Sequence, residues 1–144
     1  DPFAVMENIL QDYRLGKNCD AIFVDLHGET TSEKMSFGHH FAGRISAVIG
    51  THTHIPTADA HVMNGGTAYM TDAGMCGDYD SVIGMKKETA VHRFTKKLPG
   101  DHFIPASENM MLCGALVVTS DNTGKAQSIQ PIRIGDVLSE TMPE

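Results

Sequence analysis

The chain has 144 residues, a length that suits one domain with an ordinary core. Apolar residues make up 41%, and 14 Gly bring the total to about half, which excludes collagenous and disordered classes. Lys and Arg number 11 against 18 Asp and Glu, a net charge of −7, which argues against stable nucleic-acid binding through phosphate neutralisation.

No apolar run reaches the roughly 20 residues of a membrane span. An anionic substrate would need local attraction, and a bound cation is the usual source. Cys19, Cys76 and Cys113 form an odd set without C-x-x-C spacing, so we expect buried, reduced thiols in a cytoplasmic protein. The nine Met are expected to fill core gaps.

Asp1-Pro2 pairs a capping residue with the residue favoured at the first helical position. With no initiator Met, it suggests a chain cut from a longer protein. Phe3, Met6, Ile9, Leu10 and Tyr13 follow helical spacing, which predicts a helix over 2–15 closed by Gly16. Residues 21–26 (AIFVDL) read as a buried, parallel strand ending at His27. Thr31-Ser32-Glu33 offers caps for a helix over 32–43, and residues 46–50 (SAVIG) form a second buried strand that runs into Thr51-His52-Thr53-His54. Segments 60–63 and 67–71 flank Asn64-Gly65-Gly66 and predict a hairpin. A Gly-rich loop over 72–78 and a helix over 86–98, ending before Pro99, come next. Segments 112–119 and 126–134 enclose a turn at Asp121-Asn122-Thr123-Gly124. The order describes one mixed α/β domain over 1–144.

Two strand ends deliver histidine. In α/β sheets ligands bind beyond the carboxyl ends of the strands, where side chains point into a crevice. In extended backbone residues two apart share a side, so His52 and His54 can face one centre with His27 arriving from the next strand. Imidazole suits zinc, iron or manganese when a carbonyl or carboxylate holds its other nitrogen, and Asp25, Glu29 and Asp59 are candidates for that support. The competing reading is three ordinary half-buried histidines. His39-His40 sits inside a predicted helix, where neighbours face different sides, so both read as surface residues; His61, His92 and His102 have no partner in sequence. P-loop, G-x-G-x-x-G and G-x-S-x-G patterns are missing.

Four ordered blocks, residues 24–34 (VDLHGETTSEK), 50–59 (GTHTHIPTAD), 66–75 (GTAYMTDAGM) and 79–85 (YDSVIGM), resemble the bacterial YmdB-like metallophosphoesterases of the calcineurin-like superfamily, described as 2',3'-cyclic-nucleotide 2'-phosphodiesterases. The resemblance implies a sandwich of two mixed β-sheets flanked by helices, of which these residues are the carboxyl-terminal portion. It implies a dinuclear centre of divalent ions, iron or manganese with zinc as a further option, in which His27 and His52 bind one ion and His54 the other. Two such cations supply a nucleophile and neutralise the phosphoryl oxygens.

That family's amino-terminal Asp, bridging Glu and Gly-Asn-His blocks have no counterpart here, so catalytic and substrate-binding residues stay unassigned. The chain alone is expected to hold one ion or none and to be inactive. Its expected partners are a small cyclic nucleotide or phosphodiester and further copies of itself. Two alternatives stay open: a mononuclear zinc hydrolase complete in 144 residues, and a regulatory domain that binds metal or nucleotide without turnover.

Overall fold

Asp1 starts the first helix as its sequence dictates: its carboxylate accepts the N–H groups of Phe3 and Ala4 at 2.9 and 3.3 Å. The computed structural model describes residues 1–98 and 100–143, so Pro99 lies outside the described residues. Helix α1 spans Pro2–Asp12, three residues short of the predicted end. Asn18 stops it. Its side chain accepts the Arg14 N–H and donates to the Asp12 carbonyl, both at 2.7 Å, so two backbone groups that would continue the helix are satisfied elsewhere.

Strand β1 (Phe23–His27) pairs in parallel with β2 (Ala47–Thr51), which pairs in parallel with β4 (Thr67–Met70); β3 (His61–Met63) runs antiparallel to β4. The sheet order is β1-β2-β4-β3. The predicted hairpin is β3 and β4, with Gly65 and Gly66 at φ +106° and +90°, a conformation open to glycine. Strand β1 corrects the expectation of a buried strand. Among the described residues it has a partner on one side only, and Phe23 is exposed.

Helix α2 (Thr31–Phe41) starts from Thr30, which makes no side-chain cap bond, rather than from the capping residues expected at 31–33. With α1 it covers one face of this sheet. Phe37, Phe41, Ile45, Val48, Met63 and Tyr69 form that core with Met6 and Leu10. On the other face Ala47 and Ala68 meet Ala126, Val117 and Ile129. Small side chains there let a second sheet approach: β5 (Gly77–Asp78), β6 (Met110–Thr119) and β7 (Ala126–Ile134), antiparallel throughout its described residues.

The expected α/β architecture of two sheets flanked by helices is therefore present. Strand β5 lies within what the sequence predicts as loop, and β6 starts two residues early because Met110 pairs with Asp78. Helix α3 (Lys87–Lys96) closes on Lys97 in a left-handed conformation, and Val91 and Phe94 on its apolar stripe are exposed. Met6, Met63, Met70 and Met111 do fill the core, but Met35, Met110 and Met142 are exposed. The thiols also depart from expectation: all three are free, but only Cys113 is buried, while Cys76 lies exposed in the loop before β5.

Candidate metal centre at the strand ends

Parallel pairing of β1 with β2 puts His27 opposite Thr51, so the two strands end level and the following turn lies beside His27. Thr51 links the pair. Its hydroxyl donates to Asp25 Oδ1 at 3.0 Å and lies 3.1 Å from His27 Nδ1. A hydroxyl has one proton to give. Since that proton serves the carboxylate, His27 must donate Nδ1–H to Thr51, which leaves the lone pair on Nε2.

That Nε2 lies 3.3 Å from Nδ1 of His52, the rings meeting edge to face. Two imidazole nitrogens on one tetrahedral zinc-like ion, each bonded at roughly 2.0 to 2.1 Å, stand about 3.3 to 3.4 Å apart. The pair thus fits a shared cation, and without an ion the same separation accommodates an N–H···N bond from His52. Both rings are exposed and open to a ligand.

His54 goes elsewhere. Strand β2 ends at Thr51, and His54 has φ +68°, so the alternation that would put His52 and His54 on one side does not apply. Its Nδ1 donates to the Ile83 carbonyl at 2.9 Å, which fixes the proton there and leaves the lone pair on Nε2. Among the described residues no group of three or more His, Cys, Asp or Glu is placed to hold a metal. A single three-histidine zinc site, the basis of the mononuclear alternative, is therefore not assembled.

Of the expected supporting carboxylates, Asp25 acts on His27 through Thr51. Asp59 instead takes the hydroxyls of Thr57 and Thr71 and the Thr71 N–H, and Glu29 makes no hydrogen bond to the three histidines. Burial works against the charge on Asp59, but those bonds outweigh it and hold the carboxyl below its usual range. His40 reaches Glu7 at 3.0 Å on the surface, as a residue without a metal role would.

Three supports escaped the sequence reading. Tyr79 sets its hydroxyl 3.1 Å from the carbonyls of both His54 and Met75, which share its one proton, and accepts the Met75 N–H at 3.1 Å, clamping the turn to the loop after β4. Asp72 accepts the N–H of Thr53, between the two histidines, at 2.8 Å. Lys34, almost fully buried, lies 3.5 Å from that carboxylate. A cavity of about 230 Å³ lined by Asp25, Thr51, Phe23, Ile49 and Val117 adjoins the site.

A family model described as YmdB-like protein matches residues 1–132. The chain is 43% identical over 136 residues to the 2',3'-cyclic-nucleotide 2'-phosphodiesterase of Bacillus subtilis, a match that covers 94% of this chain and 50% of that protein. A putative phosphatase/phosphodiesterase of Mycoplasma pneumoniae is 38% identical, over 93% of this chain and 46% of its own length. Among solved structures, a hypothetical protein from Thermus thermophilus superposes with a TM-score of 0.84 at 38% identity, over 94% of this chain and 51% of that one. A Mycoplasma pneumoniae structure titled a novel phosphatase also gives 0.84, at 36% identity, over 99% and 48%. The chain spans about half the length of these relatives.

Proposed function

The chain belongs to the YmdB-like family, and from that premise we propose that it is part of a metal-dependent phosphodiesterase acting on 2',3'-cyclic nucleotides. Under this reading His27 and His52 hold one divalent ion, iron, manganese or zinc, and His54 contributes to a second. The observation that carries it is the 3.3 Å approach of His27 Nε2 to His52 Nδ1, with Thr51 and Asp25 fixing the tautomer behind it. Bound there, two cations would supply a nucleophile at neutral pH and offset charge growing on the phosphoryl oxygens. Within this chain, the Ile83 carbonyl keeps the His54 proton on Nδ1, and Tyr79 holds the His54 backbone.

Three neutral imidazoles do not balance two divalent charges. The anionic ligands of the working centre would therefore come from the half of the relatives' length that these 144 residues do not span. The three free thiols support a cytoplasmic location. The one-sided β1 and the open stripe of α3 support association between copies. Among the described residues no helix is long and apolar enough to cross a membrane.

Metal titration tests the reading. Manganese or zinc binding should fall on His27→Ala, His52→Ala or His54→Ala and stay level on His39→Ala and His40→Ala. Equal metal content in His52→Ala and the parent would overturn it. A chain extended to the relatives' full length should hydrolyse 2',3'-cyclic AMP with manganese or iron and lose that activity on His54→Ala, whereas residues 1–144 alone should show no turnover.

A further inference from the structure

We propose that the buried Lys34–Asp72 pair is a positioning device for the candidate metal centre, locking the Thr53 amide so that His52 and His54 hold their places relative to His27. The inference rests on the reading of these histidines as metal ligands.

Its first support is that the pair is expensive. Lys34 and Asp72 are each about 1% exposed, and the ammonium, 3.5 Å from the carboxylate, has no hydrogen-bond partner among the described residues. Burying two charges commonly costs more than their attraction returns, and apolar side chains of similar volume often serve stability as well or better. The other buried side chains of α2 are Phe37 and Phe41, so an apolar residue at 34 would join an apolar face. Stability alone gives no reason for a lysine there.

The second support is connectivity. Lys34 lies in the first turn of α2, and its backbone N–H bonds the carbonyl of Thr30 just beyond His27 and β1. Asp72 follows β4 and uses both carboxylate oxygens, Oδ2 for the Thr53 N–H at 2.8 Å and Oδ1 for the Gly74 N–H at 2.9 Å. Its carbonyl also accepts the Thr57 N–H at 3.0 Å. One residue thus brackets the turn from 53 to 57, and one ion pair ties the start of α2 to the loops after β2 and β4.

Gly50 completes the device. A Cβ there would stand 1.8 Å from the Thr71 carbonyl oxygen and 2.9 Å from Lys34 Cδ, so the lysine stem crosses the sheet end where only glycine leaves room. A carboxylate makes a stronger bond to an amide than a neutral acceptor does. Burial opposes the charge on Asp72, yet the Thr53 and Gly74 bonds and the nearby lysine prevail and keep it ionised.

The test is the uncharged, volume-matched double variant Lys34→Met with Asp72→Asn. It should stay folded but unfold at a somewhat lower midpoint, because an amide offers one acceptor oxygen where the carboxylate serves both the Thr53 and Gly74 N–H groups, so Thr53 exchange is read against the amides of β2. Amide exchange at Thr53 should accelerate at least about 10-fold, and manganese or zinc affinity should drop about 10- to 100-fold, the loss usual when support behind metal ligands is removed. A folded double variant with the parent's Thr53 exchange and the parent's metal affinity would overturn the inference. If the double variant does not fold, Lys34→Met alone, which leaves the carboxylate its two N–H bonds, is judged by the same two measurements. Should the parent bind neither metal, the ligand reading fails, and Thr53 exchange then decides whether the pair locks the turn.

Discussion

Ile83 presents its carbonyl to His54 Nδ1 at 2.9 Å from a left-handed backbone, φ +51°. It is followed by Gly84 at φ +90°, and Val82 and Met85 exchange both backbone hydrogen bonds across the two-residue turn. A β-branched residue pays for positive φ through contact between its Cβ and the backbone, at roughly 1 to 2 kcal/mol. The residue is 54% exposed, so little burial offsets that strain. The strained turn aims one oxygen at the histidine, an arrangement common where a site needs a group held in place.

Replacing Ile83→Asn should therefore raise stability by about 1 kcal/mol, since Asn tolerates the left-handed region. The bond to His54 comes from the backbone and should survive, leaving the imidazole nitrogen shifts of His54 unchanged. Urea unfolding checks the first expectation; a lower midpoint would show that the turn is not strained.

Thr51→Val keeps the shape of the side chain and removes the hydroxyl between Asp25 and His27. With no acceptor at Nδ1, His27 is free to move its proton to Nε2 and turn a donor toward His52. Metal affinity should fall about 10- to 100-fold. Calorimetric titration with zinc or manganese that returns the parent's affinity would refute this role for Thr51.

Acid should weaken the fold in a defined window. Arg44, and after it His40, pull the Glu7 carboxyl down from 4.5 to about 2. The N–H of Asn109 leads those that hold Asp78 below its usual range, with Glu108 and Asp80 also donating against the cost of burial. A folded-state pKa below the unfolded one favours the native state at higher pH, because the unfolded chain binds the proton first. For Glu7 that contribution is complete above about 4.5 and disappears as pH falls toward about 2. Thermal midpoints followed from pH 7 to 2 should show a shallower acid decline in Glu7→Gln than in the parent, the two curves converging at the acid end. Parallel curves would contradict the assignment.

Local features were legible in the chain. Helical spacing from Phe3 to Leu10, the cap at Asp1, the Asn64-Gly65-Gly66 turn and the apolar run ending at His27 depend on neighbours a few residues apart, so α1, the β3–β4 hairpin and β1 could be read with near-correct bounds. The four blocks carried the family resemblance, and strand ends that bear histidine named the candidate site. Tertiary structure decided the rest. Asn18 ends α1 by reaching back to Asp12 and Arg14, Met110 lengthens β6 by pairing with Asp78, and β1 stands at an edge of the described sheet because strand order is a property of packing. Within the candidate site, His54 turns away from His52 toward a carbonyl 29 residues along the chain, and Lys34, to which the sequence assigns no role, is buried against Asp72. Such partners are chosen by which loops the parallel strands β1, β2 and β4 bring together at their carboxyl ends, and no periodicity or spacing in the chain records that choice.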